Sequence, residues 1–344
     1  MRPIALTAFI LSLIAGTTIT LSSNHWLMAW IGLEINTLAI IPLMMYIPHP
    51  RSIEAAIKYF LTQSTASALI LFSALNNAWL LGEWEISHSS ILFSSTLTIA
   101  LLTKLGLAPM HFWMPEVIQG IPLQIGMILS TWQKIAPMIL LTQMAQSVNM
   151  YLLTMIGIIS ILVGGWGGMN QTQTRKILAY SSIGHMGWIV LICKFNPSLA
   201  LFTFFIYIIM TTTLFYSFSL LSAIKISKLS TESSKTPTFL TMLMLTLLSL
   251  GGLPPLSGFS PKLLIVSELV KQNCHIFAAF CLLGALLALF YYLRLTYYMI
   301  LTLPPTMTSY PTQWRQSCFD KSFLSVFISS SLLLLPILPF FFEN

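Results

Sequence analysis

Charge is what this 344-residue chain has least of: 16 Lys and Arg against 9 Asp and Glu, 7% in all, where ordinary soluble domains carry about 25%. With 56% apolar residues, no water-facing surface of the required size can be assembled, so lipid must be the solvent for most of the chain. A soluble globule is excluded, and the net charge of +7 bears on membrane orientation rather than on nucleic acid. Cysteine is scarce as well. Cys193, Cys274, Cys281 and Cys318 form neither a C-x-x-C pair nor a ladder, which argues against a metal centre and a disulfide framework. The six histidines lie scattered, without H-E-x-x-H. The glycine cluster Gly164-Gly165-Trp166-Gly167-Gly168 lacks the strand-to-helix setting of a dinucleotide site. No cofactor or metal site is expected in this chain. Met1-Arg2-Pro3-Ile4 enters an apolar stretch with neither a cleavage pattern nor an Arg-rich transit composition, so the first helix is expected to be retained.

What is present is a succession of long apolar runs. Punctuation by polar, Pro, Asn and Gly residues places spans near 3 to 21, 25 to 47, 58 to 81, 91 to 118, 122 to 146, 150 to 168, 176 to 194, 199 to 222, 238 to 270, 275 to 302 and 322 to 341. The expected fold is therefore all-α, a single transmembrane domain over 1–344 with about eleven transmembrane helices. Arg2, Arg51, Lys58, Arg175, Lys176, Lys225, Lys228, Lys235, Arg315 and Lys321 fall at the N-terminus or after even-numbered spans, whereas only Lys194 and Lys271 follow odd-numbered ones. The positive-inside rule then puts the N-terminus on the inner side and, eleven being odd, the C-terminus on the outer side. The connection at 82–90, with Glu83 and Glu85 and no Lys or Arg, fits the outer face.

Spans four and nine are too long. As straight helices they would measure roughly 42 and 50 Å against a hydrocarbon core of about 30 Å. Each contains prolines, Pro109 and Pro115 in the first and Pro254, Pro255 and Pro261 in the second, at which a helix yields. The segments 106–116 and 252–262 both read G-L-x-P-x-x-x-aromatic-x-P-charge, and each position in the second lies 146 residues after its counterpart (Gly106 to Gly252, Pro115 to Pro261). The spans are five steps apart and so cross in opposite directions, which predicts approximate inverted repeats over 1–146 and 150–302, with a final helix at 322–341. Paired interrupted spans point to a transport site, because unwound backbone inside a bilayer needs protein or a water-filled cavity to pair with.

Ionisable residues inside spans cost about 2.5–3.5 kcal/mol near a helix centre and by default mark ion or proton pathways. Glu34, Lys104 and Lys134 fall roughly 15 to 20 Å below a surface, beyond the reach of snorkelling, and Lys262 sits at the second break. Lys262 takes the repeat position of Glu116, a reversal of sign. For Glu34 and Lys104 the alternative is an ion pair that fixes helix register, and one pair can do both. Lys134 has no acidic neighbour in sequence, and snorkelling or a carbonyl partner is the alternative to a proton carrier. His111 and His185 could relay protons through their two nitrogens or simply hydrogen-bond within the packing. Ser64, Ser67, Thr103, Ser130, Thr131, Tyr180, Ser181 and Ser182 could support water files, although helix packing is the favoured reading of each.

Several blocks carry a family resemblance: Trp30-Ile31-Gly32-Leu33-Glu34-Ile35-Asn36, Lys58 to Ser64, Lys104-Leu105-Gly106 with Pro109 to Glu116, Gly164 to Lys176, Tyr180 to Trp188, and Gly251 to Lys262. In order and over nearly the whole chain, they resemble the mitochondrially encoded antiporter-like subunits of respiratory complex I, the NADH-ubiquinone oxidoreductase chain 2 family in its animal form. The connections 82–90 and 223–237 and the tail after 303 lack such blocks. The resemblance implies a proton-translocating subunit of NADH:ubiquinone reductase with no redox centre of its own. It places NADH, FMN, iron-sulfur clusters and ubiquinone in partner subunits. It assigns Glu34, Lys104, Lys134 and Lys262 to a hydrated mid-membrane axis, with His111 and His185 also at family positions.

The partners implied are the other membrane-arm and accessory subunits and membrane lipids, not nucleic acid. The location implied is the inner mitochondrial membrane, with the N-terminus in the matrix. Full-length relatives carry three further N-terminal helices, and this chain starts where their fourth would. Two rival readings are a stand-alone cation/proton antiporter, disfavoured because Glu34 is the only clear mid-depth carboxylate, and a structural spacer without its own conduction.

Overall fold

A computed structural model describes residues 3–86, 91–232, 237–300 and 322–333. Arg2, Lys235, Arg315, Lys321 and Cys318 lie outside the described residues, as do 87–90 of the connection at 82–90 and 334–341 of the last expected span. Among the described residues the regular structure is helical, and the strand-like features are two isolated bridges, His25 with Glu85 and Gln173 with Lys225.

Helices α1 (Pro3–Ser22) and α2 (Trp26–Met44) match the first two expected spans. Helix α3 (Pro50–Leu81) begins eight residues earlier than expected. The reason is local: Pro50 pre-sets the first turn, the His49 side chain accepts from the Arg51 N–H at 3.1 Å, and the Ser52 hydroxyl accepts from the His49 N–H at 3.2 Å. With 32 residues α3 is roughly 48 Å long, more than a hydrocarbon core requires, so the turns carrying Arg51, Glu54 and Lys58 extend the apolar run.

Expected span four is α4 (Ile91–Leu105) and α5 (Trp113–Gly120), and expected span nine is α12 (Pro237–Gly251) and α13 (Phe259–Lys271). Both breaks are therefore seven residues long, 106–112 and 252–258, and begin and end at the same repeat positions. Pro109, Pro254 and Pro255 lie within the breaks as the sequence suggests, and glycine adds a second cause. Glycine ends each first half, with φ of 78° at Gly106 and 84° at Gly252. Gly106 N–H donates to Thr103 C=O and Leu107 N–H to Leu102 C=O, both at 3.1 Å; Gly252 N–H donates to Ser249 C=O at 2.9 Å and Leu253 N–H to Leu248 C=O at 3.4 Å. These are the two bonds of a Schellman cap. Pro115 and Pro261 stand inside the first turns of α5 and α13, where no N–H is required. Gly106→Ala or Gly252→Ala forces a Cβ into the left-handed region, at a cost of roughly 1–2 kcal/mol. The expected outcome is a lowered thermal midpoint of the purified assembly.

Expected span five is also broken, into α6 (Leu123–Ser130) and α7 (Trp132–Gln143). Thr131 separates them at φ −114°, ψ −69°, still in the right-handed region, with its N–H and its hydroxyl both bonding Met127 C=O, at 3.0 and 2.7 Å. Pro137, in α7, lacks the N–H that would bond back to residue 133 and crowds the preceding turn. Proline alone does not decide the matter, since α2 runs through Pro42 unbroken.

The remaining helices are α8 (Met150–Met169), α9 (Thr174–Cys193), α10 (Pro197–Leu221), the short α11 (Ile226–Glu232), α14 (His275–Ile300) and α15 (Ser322–Leu333). Among the described residues eight helical segments, one of them α6 and α7 together over Leu123–Gln143, are long and apolar enough to cross a membrane, and α4 and α12 contain shorter apolar stretches. Phe72 and Trp79 on α3 and Leu286 and Phe290 on α14 are exposed, as lipid-facing side chains are. The chain is a multi-pass membrane protein.

Two compact units are present. The first comprises Met1–Ile161 and His185–Leu201, the second Leu162–Gly184 and Phe202–Asn344. In the first, α2 packs on α1 and α3, α3 on α4 and α5, and α7 on α1, α2 and α4. In the second, α12 packs on α13, α14 and α15.

Candidate functional site

The first unit holds Glu34, Lys104, His111, Lys134 and His185, and the second holds Lys262. Each of the three lysines lies at a helix interruption. Lys104 is in the last turn of α4, Lys134 in the first turn of α7, and Lys262 in the first turn of α13. The breaks thus deliver the amines to the places where backbone and side chains diverge enough to leave polar space.

Lys104 is 5% exposed, and its amine has no hydrogen-bond partner among the described protein atoms. It lines a small polar cavity with Asn36 and Thr37 of α2, Tyr59 and Gln63 of α3 and Gln133 of α7. Glu34 is partly buried and accepts from the Thr37 hydroxyl at 3.1 Å. Its carboxylate acts electrostatically on both Lys104 and Tyr59. Among the described residues there is no direct Glu34–Lys104 ion pair within 4.0 Å. The two are neighbours coupled through space rather than a clasp.

Lys134 is 2% exposed and follows Gln133, whose Nε2 donates to the Asn36 carbonyl at 3.1 Å. The turn before Lys134 thereby reaches the Lys104 cavity. His111 lies buried in the first break, with Nδ1 3.2 Å from the Pro109 carbonyl and its ring 4.3 Å from that of Phe112. His185 is partly exposed on α9. Lys262 is partly exposed, and its amine donates to the Leu250 carbonyl at 3.1 Å and the Gly251 carbonyl at 2.8 Å. It caps the C-terminal end of α12, where carbonyls lack intrahelical partners and a cation is favoured. Its repeat counterpart Glu116 does something else, accepting from Lys58 at 2.7 Å while Lys58 also meets Glu54 at 2.6 Å.

The serine and threonine hydroxyls singled out in the sequence are occupied by their own helices. Ser64, Ser67, Thr103, Ser130, Thr131, Ser181 and Ser182 all donate to carbonyls three or four residues earlier. That is the packing arrangement, and it leaves only acceptor lone pairs for other contacts. Asn36, Tyr59, Gln63 and Gln133 were not singled out as site residues. Their signal is spacing: Tyr59 and Gln63 are four apart, as are Gln133 and Pro137, and Leu33, Asn36 and Thr37 share one face of α2. Among the described residues no three or more His, Cys, Asp or Glu are grouped to hold a metal ion.

Interrupted spans with buried amines at the interruptions define an antiporter-like membrane protein. The family described as NADH:quinone oxidoreductase/Mrp antiporter, TM, matches residues 23–288, and NADH dehydrogenase subunit 2 C-terminus matches 289–342. NADH-ubiquinone oxidoreductase chain 2 of Aquarana catesbeiana is 58% identical over 339 residues, covering 98% of each chain. That of Xenopus laevis is 53% identical over 341 residues, also covering 98% of each. Among solved structures, respiratory complex I from Thermus thermophilus with bound Aureothin contains a chain that superimposes with a TM-score of 0.84 at 25% identity, over 98% of this chain and 80% of that one. The Mrp complex from Dietzia sp. DQ12-45-1b shares the fold, with a TM-score of 0.81 at 18% identity over 86% of this chain and 60% of that one. The chain belongs to the NADH:quinone oxidoreductase/Mrp antiporter transmembrane family, in its NADH-ubiquinone oxidoreductase chain 2 branch.

Proposed function

We propose that this chain is a core membrane-arm subunit of respiratory NADH:ubiquinone oxidoreductase that translocates protons through Glu34, Lys104, Lys134 and Lys262, with His111 and His185 as further relay groups. The observation that carries the reading is Lys104, a buried amine without a protein partner, in a polar cavity within the field of Glu34. A structural ion pair would close that distance. A switch must leave it adjustable. Displacing the Glu34 carboxylate alters how tightly Lys104 holds its proton, since charge interactions strengthen steeply as the local dielectric falls. Lys134 is the next carrier in the first unit and Lys262 the exchange group of the second.

Moving a proton against the membrane potential costs about 2.3 kcal/mol per 100 mV, and one pK unit of modulation is worth about 1.4 kcal/mol. One or two units at each carrier are therefore enough. The driving energy comes from quinone reduction in partner subunits, which also hold NADH, FMN, the iron-sulfur clusters and ubiquinone. The chain resides in the inner mitochondrial membrane, its N-terminus in the matrix and its C-terminus in the intermembrane space, as the distribution of Lys and Arg favours. The identical caps and boundaries at 106–112 and 252–258 support inverted repeats over 1–146 and 150–302.

Glu34→Gln keeps the shape and the Thr37 contact but removes the charge. In the assembled enzyme it should lower proton translocation per NADH oxidised about tenfold, the equivalent of one pK unit at the switch. Wild-type pumping by an assembled variant would overturn the proposal.

A further inference from the structure

Two residues that line the same cavity, Lys104 and Asn36, carry three orphaned polar atoms, and the relay reading leaves the Asn36 amide unused. The Lys104 amine and both the amide oxygen and amide nitrogen of Asn36 are buried without a protein partner, and Asn36 is only 2% exposed. Buried polar groups are nearly always paired. The cavity lined by Lys104 and Asn36 measures about 10 Å³, the lower limit for a single water, and a buried water typically makes about three hydrogen bonds. Space and unmet bonds match one molecule.

We propose that this cavity is the binding site of one ordered water and that Asn36 is the positioning residue that holds it against Lys104. The inference rests on the reading of Lys104 as a proton carrier. The Asn36 amide packs against α1. On α1, a Cβ added to Gly16 would stand 2.5 Å from the Asn36 amide oxygen, and one added to Gly32 would stand 2.8 Å from the Gly16 carbonyl. The close approach of α1 and α2 at these glycines pins the amide, while Gln133 holds the Asn36 backbone carbonyl from α7.

The choice of an amide has a chemical reason. It offers one acceptor and two donor hydrogens, so a water between it and the amine can be held in either orientation. Turned one way, the water accepts from the ammonium; turned the other, it donates to the lone pair of the neutral amine. One site then serves Lys104 in both charge states without rearrangement of the helices. A carboxylate at position 36 would accept only, and an aliphatic side chain would hold no water.

The test uses the intact assembled complex. A density map resolving waters should show a single peak within hydrogen-bond distance of both Lys104 and Asn36. In Asn36→Leu, similar in volume, the peak should disappear and protons translocated per NADH should fall severalfold at unchanged subunit content. A dry cavity in the unmodified complex overturns the inference, whether or not the leucine variant assembles. So does an Asn36→Leu complex with a wild-type ratio. Lys104→Met separates the two levels: if it pumps normally, the relay reading has failed; if it does not pump while Asn36→Leu does, only the water site has.

Discussion

Lys134→Met is expected to leave the complex assembled and to lower proton translocation per NADH by at least about tenfold, the equivalent of one pK unit or more at a single carrier. The two side chains have nearly the same length, and Lys134 is 2% exposed among the buried Ala136, Met138, Leu140 and Leu141 of its own helix. Removing one member of a buried polar contact costs stability when the other is left unmet, so subunit content is measured beside pumping, and the ratio per assembled complex reports conduction. Lys134→Arg makes the complementary case. It preserves charge and reach, but a guanidinium does not release its proton in a protein, so this variant should also fail to pump. A spacer subunit would tolerate both. Proton uptake by vesicles containing the assembled enzyme, normalised to NADH oxidised, reads the difference; wild-type ratios in either assembled variant would remove Lys134 from the pathway.

The second large effect concerns Lys262, where structure and conduction coincide. Its amine bridges the Leu250 and Gly251 carbonyls across the second break, and hydrogen bonds to a charged group contribute about 1.5–3 kcal/mol. Lys262→Met should therefore lower the thermal midpoint of the complex and stop pumping. Lys262→Arg retains donors for both carbonyls. It should recover most of the stability and little of the pumping. If arginine recovers both, Lys262 is a helix cap and nothing more; if methionine costs neither, it is not even that.

Much of this architecture is written locally in the chain. The apolar runs announce helices and lipid because so few charges interrupt them, and the two helix breaks are visible as a motif repeated at a fixed offset. Both follow from short-range physics: Gly106 and Gly252 end helices because a residue without Cβ tolerates positive φ, whatever surrounds it. Glu34, Lys104 and Lys134 stand out for a similar reason, since an ionisable side chain deep in an apolar run is costly in any packing. Even the start of α3 at Pro50 has a local cause, although Arg51, Glu54 and Lys58 conceal it from a reading based on hydrophobicity. The assembly of the Lys104 cavity belongs to another order of information. Asn36, Tyr59, Gln63 and Gln133 come from three helices, and only the rotation and depth of each helix against the others decide that they meet one another and a fourth. The same packing sets Glu34 near Lys104 without contact and presses Gly16 against Asn36. These are long-range distances settled by side-chain interlock, where a shift of one residue in a helix turns a face by about 100°, and no local pattern in the chain records them.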